Sequence, residues 1–306
     1  EVIEAREGLF PIHALVIGPQ DRSLPTLGLF GGVHGLERIG AQVVVSYLKI
    51  LCQLLDWDQD FKDLFKTRRL VCIPFVNPWG VGTHHRCNPH GVDLMRNAPV
   101  ECEGGQTPLL SGHRLSRHLP WYRGPKNAPL QIESQALCDF VKREMFESEF
   151  SIAVDFHSGF GMKDQLWYPW AKSKEKFPFI DEFLALEDLL DKTFPNHIYR
   201  IEPQSKNYVT HGDIWDYLLL EFIKKSGGAG KVFIPITLEL GSWLWVKKNP
   251  IQLFSIFGLF NPVKEHRYRR VMRRHFFLID FLLKAVRNHS YWSGGMLSQG
   301  HHLAAP

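Results

Sequence analysis

Thr26-Leu27-Gly28-Leu29-Phe30-Gly31-Gly32-Val33-His34-Gly35-Leu36-Glu37 decides the fold of this chain. The apolar run Thr26 to Phe30 has the length of a strand, and the glycines after it allow a tight turn. Beyond Glu37, the apolar residues Val44, Leu48, Leu51 and Leu55 recur at the +4, +7 and +11 spacing of one helix face. Strand, turn and helix in that order imply a β-α unit.

The same alternation continues outward. Ile12 to Ile17, Leu70 to Val76, Ser151 to Phe156, Gln165 to Trp170 and Val232 to Leu240 read as further strands. Gln131 to Phe146, Pro178 to Leu190 and Asp213 to Ile223 read as helices. Met272, Phe276, Ile279, Leu283 and Val286 mark the buried face of a last helix, with Arg270, Arg273 and Arg274 opposite. We therefore expect an α/β fold with a mixed, largely parallel central sheet flanked by helices, in a single domain over residues 1–306.

Composition excludes several classes. With 306 residues, 44% hydrophobic and 22% charged, the chain is an ordinary globular protein able to bury a large core. A net charge of +4 is too small to argue for a nucleic-acid or membrane partner. Ile251 to Phe260 and Phe276 to Val286 are two long apolar stretches, and both fall short of the roughly 20 residues that span a bilayer. Five cysteines, Cys52, Cys72, Cys87, Cys102 and Cys138, are an odd number without a CxxC pair, so neither a disulfide framework nor a thiolate zinc site is expected. No signal peptide is visible, one already removed would leave the same start, and the cysteine usage leans toward a cytoplasmic protein.

Residues 98 to 130, rich in Gly, Pro and Ser, read as a long irregular excursion, and such loops are usually functional. Ser226 to Lys231 resembles a phosphate loop only superficially, because Gly230-Lys231 is followed by Val232 rather than Ser or Thr.

His34-x-x-Glu37 carries the chemistry. An imidazole and a carboxylate three residues apart can both face one cation, each at about 2 Å from zinc. A polar turn capping the following helix would read the same way, so a third ligand is needed. His157, at the carboxyl end of the strand in Asp155-Phe156-His157-Ser158-Gly159, is the best candidate, since ligands bind at that edge of open α/β sheets. Fifteen histidines leave room for coincidence. The rival pairs His84-His85 and His301-His302 bring no well-placed carboxylate and read as surface or supporting residues.

At this point the sequence resembles the zinc carboxypeptidases of the carboxypeptidase A type, over roughly residues 25 to 245. The resemblance runs in order through His34-x-x-Glu37, the Asn77-Pro78-Trp79-Gly80 turn, and Arg86 followed by Gly91-Val92-Asp93-Leu94-Met95-Arg96-Asn97. It continues through Tyr122-Arg123-Gly124-Pro125, Glu133-Ser134, His157, Tyr208-x-x-x-Gly212-x-x-x-Asp216 and Thr237-Leu238-Glu239. It implies one zinc ion per chain, held by His34, Glu37 and His157, a set of the His₂Glu type known for carboxypeptidase A. It also implies Glu239 as general base and Arg86 as stabiliser of the oxyanion. Arg96 matches the residue that docks the substrate carboxylate through a two-pronged guanidinium, Asp93 the carboxylate that orients His34, and Tyr208 a mobile tyrosine that closes over substrate. The plainer reading of Tyr208 packs it on Trp215.

Two departures bear on the substrate. Met95 stands where the family usually has Asn before the docking Arg, so one donor to a substrate carboxylate is missing. Trp215 stands where the floor of the specificity pocket is set, and a bulky floor would shorten that pocket. Between Asp216 and Glu239, Ser226 to Gly230 reads as a flexible insertion. The first expectation is a zinc-dependent carboxypeptidase acting on peptides. The alternatives are an N-acyl amino acid deacylase of the aspartoacylase type, against which the Tyr208, Gly212 and Asp216 register argues, and a non-catalytic metal-binding module, against which the joint presence of His34, Glu37, His157 and Glu239 argues.

Overall fold

The computed structural model describes residues 2–4, 10–226 and 230–294. His301-His302 and most of the expected insertion at 226–230 lie outside these. Among the described residues, nine strands are β1 Val2–Glu4, β2 Pro11–His13, β3 Leu15–Ile17, β4 Thr26–Gly31, β5 Arg69–Ile73, β6 Phe150–Ser158, β7 Gln165–Tyr168, β8 Arg200–Pro203 and β9 Val232–Leu240. The ten α-helices among them are α1 Arg38–Trp57, α2 Gln59–Leu64, α3 Pro78–Thr83, α4 Ile132–Met145, α5 Ile180–Thr193, α6 Ile214–Ser226, α7 Trp243–Lys248, α8 Ile256–Phe260, α9 Glu265–Arg287 and α10 His289–Trp292.

The central sheet has seven strands in the order β3-β5-β4-β6-β9-β7-β8. β5, β4, β6 and β9 run parallel, as do β7 and β8, while β3 and β7 join antiparallel to β5 and β9. This is the mixed, largely parallel sheet flanked by helices that the alternation of elements implies. Every residue of β4, β5 and β6 is buried, the pattern of parallel strands covered on both faces.

Local chemistry moves several boundaries. The expected strand Ile12 to Ile17 divides at Ala14: Ile12 pairs with Ile3 in a two-stranded ribbon, and Leu15 to Ile17 join the main sheet. The strand expected over Leu70 to Val76 stops before Pro74, and Gln165 to Trp170 stops before Pro169, since proline has no N–H for a ladder. Asn77-Pro78-Trp79-Gly80 opens a short helix rather than a turn: Asn77 Oδ1 accepts the Gly80 N–H at 2.9 Å and Pro78 takes the first helical position. β8 escapes the apolar pattern because it is a four-residue edge strand, Arg-Ile-Glu-Pro.

The carboxyl ends of β4, β6 and β9 lie side by side, with Gly31 opposite Phe156 and His157 opposite Glu239. Residues projecting from these three ends share one edge of the sheet.

Candidate active site

The β4-α1 turn is shaped by backbone crowding. A Cβ on Gly35 would lie 2.0 Å from the Gly80 carbonyl carbon, and one on Gly40 would lie 2.3 Å from the Phe156 carbonyl oxygen. Only glycine lets the turn press this closely against its neighbours. Glu37 precedes α1 without capping it: its side chain makes no cap hydrogen bond. Asn261 takes over that duty, its Oδ1 accepting the Ile39 N–H at 2.9 Å and its Nδ2 donating to the Leu36 carbonyl at 2.7 Å. The Glu37 carboxylate is thereby left to turn toward the sheet edge.

There His34, Glu37 and His157 converge, each buried, with one ligand atom from each within 4.8 Å of the others. Glu37 Oε2 lies 3.1 Å from His157 Nδ1 and accepts the Ser158 N–H at 2.9 Å. His157 Nε2 lies 2.7 Å from Asp155 Oδ2, which also accepts the Trp215 indole N–H at 2.8 Å. Arg86 closes the other side: Nε donates to Asp93 at 2.9 Å, Nη1 to Glu37 Oε1 at 3.1 Å, and Nη2 lies 2.9 Å from His34 Nε2.

The donor set fits a cation. His34 Nδ1 is buried without a hydrogen-bond partner, and burial with the adjacent Arg86 cation lowers the His34 pKa to about 3, which keeps the imidazole neutral as a ligand must be. Four buried carboxylates, Glu37, Asp93, Asp155 and Glu239, belong to the site, and Arg86 pairs with two of them, Glu37 and Asp93, so positive charge is in short supply. Two titrations register that shortage. Burial and the Glu37 carboxylate push Glu239 up to about 8. Burial would lower His157, yet Asp155 and Glu37 hold it well above its ordinary range.

A cavity of about 820 Å³ opens over these residues. Glu239 is 8% exposed on its wall, with Oε2 unpartnered. Met95, Arg96 and Tyr208 line it as well. Asp93 caps the single turn that carries Met95 and Arg96, accepting the Met95 N–H at 3.0 Å. The buried Arg96 guanidinium has no carboxylate partner among the described residues; it donates to the carbonyls of Leu110 at 3.4 Å and Met95 at 3.3 Å. Gly212, in the left-handed region at φ 70°, explains the Tyr208-x-x-x-Gly212 spacing, because a Cβ there would strike the Arg96 carbonyl oxygen at 1.9 Å.

Three placements differ from the sequence expectations. Trp215 does not line the cavity: it is buried beneath the site, packed at 5.0 Å on Phe30, with its indole N–H committed to Asp155. Tyr208 packs on Phe160 and Trp167, each at 6.0 Å, rather than on Trp215. Asp93 stands 3.8 Å from His34 Nδ1, too far for a hydrogen bond, and its direct partners are Arg86 and the Met95 amide. Of the rival histidines, His85 reaches the cavity and stacks at 5.0 Å on Trp79, while His84 is exposed beside Arg38.

Two contributors were not singled out from sequence. Asp155 had a readable signal, since residues two apart on a strand share a face with His157. Asn261 had none, as it lies more than 200 positions from the turn it holds. The irregular excursion at 98–130 supplies Leu110 and the run Arg117 to Trp121 to the cavity wall.

The profile of the zinc carboxypeptidase family (peptidase M14) matches residues 8–237. Glu239 lies just beyond that match, so its placement rests on its register with His157. Carboxypeptidase D of Anas platyrhynchos is 29% identical over 91 residues, 27% of this chain and only 7% of that protein's length. Among solved structures, thrombin activatable fibrinolysis inhibitor superposes with a TM-score of 0.66 at 16% identity, covering 94% of this chain and 69% of the other. Carboxypeptidase A from Helicoverpa armigera superposes with a TM-score of 0.57 at 18% identity, covering 90% and 68%. At these identities the likeness to solved structures is one of fold. The family match covers most of the sequence, and by it the chain belongs to the zinc carboxypeptidase family.

Proposed function

We propose that the chain is a zinc-dependent hydrolase that cleaves an amide bond next to a free carboxylate, most simply as a carboxypeptidase acting on peptides. The observation that carries this reading is the convergence of His34, Glu37 and His157 with Glu239 beside them in one cavity. His34, Glu37 and His157 would hold the ion, which supplies Lewis-acid polarisation when bound. Glu239 takes the proton of the attacking water and passes it to the leaving amine; its desolvated, raised pKa suits a base that must also give the proton back. Arg86 stays anchored through Nε on Asp93, which leaves its Nη1 and Nη2, directed toward Glu37 and His34, as the donors available to a carbonyl oxygen that gains charge. Arg96, buried without a carboxylate partner, docks the substrate carboxylate, and Tyr208 closes beside it.

Met95 supports a second reading, deacylation of an N-acyl amino acid. It lines the cavity with an apolar side chain where a peptide carboxylate would want another donor. Metal analysis of the purified protein, then assay of peptides and N-acyl amino acids with a chelator control, separates the two. A chain without stoichiometric metal, inactive on both classes, would overturn both.

A further inference from the structure

One turn beside the cavity mouth differs from the rest of the described surface. Ile251, Leu253, Phe254 and Ile256 are 58% to 93% exposed, four large apolar side chains within six residues. Gln252 points inward between them, donating through Nε2 to the Gly258 carbonyl at 2.7 Å and the Asn261 carbonyl at 3.2 Å. That buried anchor holds the turn in shape while its neighbours face solvent. The apolar surface reaches the cavity edge: Trp243 is 48% exposed and lines the cavity, as does Phe260. Met162 adjoins it, since the Trp243 N–H donates to the Gly161 carbonyl at 3.1 Å. Exposed patches of this kind mark interaction surfaces.

Charge identifies what it meets. Lys247, Lys248 and Lys264 flank the turn in sequence, are exposed, and have no carboxylate partner among the described residues. Residues 241–264 contain neither Asp nor Glu. We propose that this turn seats the protein on an anionic lipid bilayer, with the apolar side chains entering the interface, the lysines meeting the headgroups, and the cavity mouth beside the membrane surface. The segment is far too short to span a bilayer, and the small net charge of the chain conceals a local lysine surplus. A second copy is a poorer occupant, because a two-fold contact through this turn would set lysines against lysines. The proposal is independent of the hydrolytic reading.

Co-sedimentation of the full chain with phosphatidylcholine vesicles, with and without phosphatidylserine, tests it. Binding is expected to the phosphatidylserine vesicles and to weaken with added salt. Lys247→Gln with Lys248→Gln should weaken it about 30-fold, at about 1 kcal/mol per charge. Phe254→Ser with Ile256→Ser, both surface changes, should weaken it about tenfold or more with an unaltered melting temperature. Failure of the natural chain to bind either vesicle, or binding that neither double variant alters, overturns the proposal. Self-association abolished by Phe254→Ser with Ile256→Ser, without vesicle binding, also overturns it and assigns the turn to a second copy.

Discussion

His157 and Glu239 are register partners on the adjacent parallel strands β6 and β9, placed together at the carboxyl edge of the sheet. Parallel pairing keeps both strands ending in the same direction, so a candidate ligand and a candidate base are neighbours without any loop having to bring them together. Glu239→Gln should therefore leave metal content unchanged and lower kcat by about 10² to 10⁴, the contribution of a positioned general base. Loss of metal in this variant would make Glu239 a ligand or a support and move the base elsewhere.

Asp155 and Trp215 act through His157 in this geometry. Asp155→Asn is expected to weaken zinc binding about 10- to 100-fold, measured by competition with a chromogenic chelator. Trp215→Phe, which removes the N–H held by Asp155, should produce a smaller shift of the same sign and leave side-chain preference alone. A change of substrate preference with constant zinc affinity would restore Trp215 to the pocket.

Met95→Asn should add a donor beside Arg96. One hydrogen bond to a charged group is worth about 1.5 to 3 kcal/mol, so kcat/KM on simple peptides should rise by up to about 10- to 150-fold. N-acyl amino acids with an apolar acyl group should lose efficiency. Unchanged values for both classes would mean that position 95 does not contact the carboxylate.

His275 supplies an acid-sensitive element away from the site. It is fully buried in α9, with Nδ1 3.0 Å from the Tyr199 hydroxyl and Nε2 without a hydrogen bond, 3.7 Å from Asp164 Oδ2; burial outweighs that carboxylate and lowers the His275 pKa to about 4. The unfolded imidazole, near 6.5, binds its proton first as pH falls, so the stability tied to this group is present above about pH 6.5 and is lost as pH drops toward 4. Over that window the loss is about 3 kcal/mol. Melting temperatures across it should fall less steeply for His275→Gln than for the natural chain; parallel curves would show that His275 is not the group that titrates.

Periodicity made the large elements legible. Thr26 to Phe30, Ser151 to Phe156 and Val232 to Leu240 are strands, and the face begun at Val44 belongs to α1, because burying one face imposes a local repeat. His34, Glu37 and His157 could be singled out for a similar reason: a turn after a strand and the end of a strand place side chains at the sheet edge whatever surrounds them. Trp215 could not be read this way. An indole suits a pocket floor or a buried donor equally, and the choice depended on Asp155, which lies on β6 while Trp215 lies on α6. Asp93 was likewise decided by packing: Arg86, seven positions away, comes within 2.9 Å, whereas His34 stays at 3.8 Å. Sequence by itself determined the large elements and the chemical types available at the sheet edge, since both follow from local spacing. Only the tertiary structure decided which polar groups pair, because a buried donor or acceptor takes the partner that packing brings to it, and spacing along the chain does not fix which one that is.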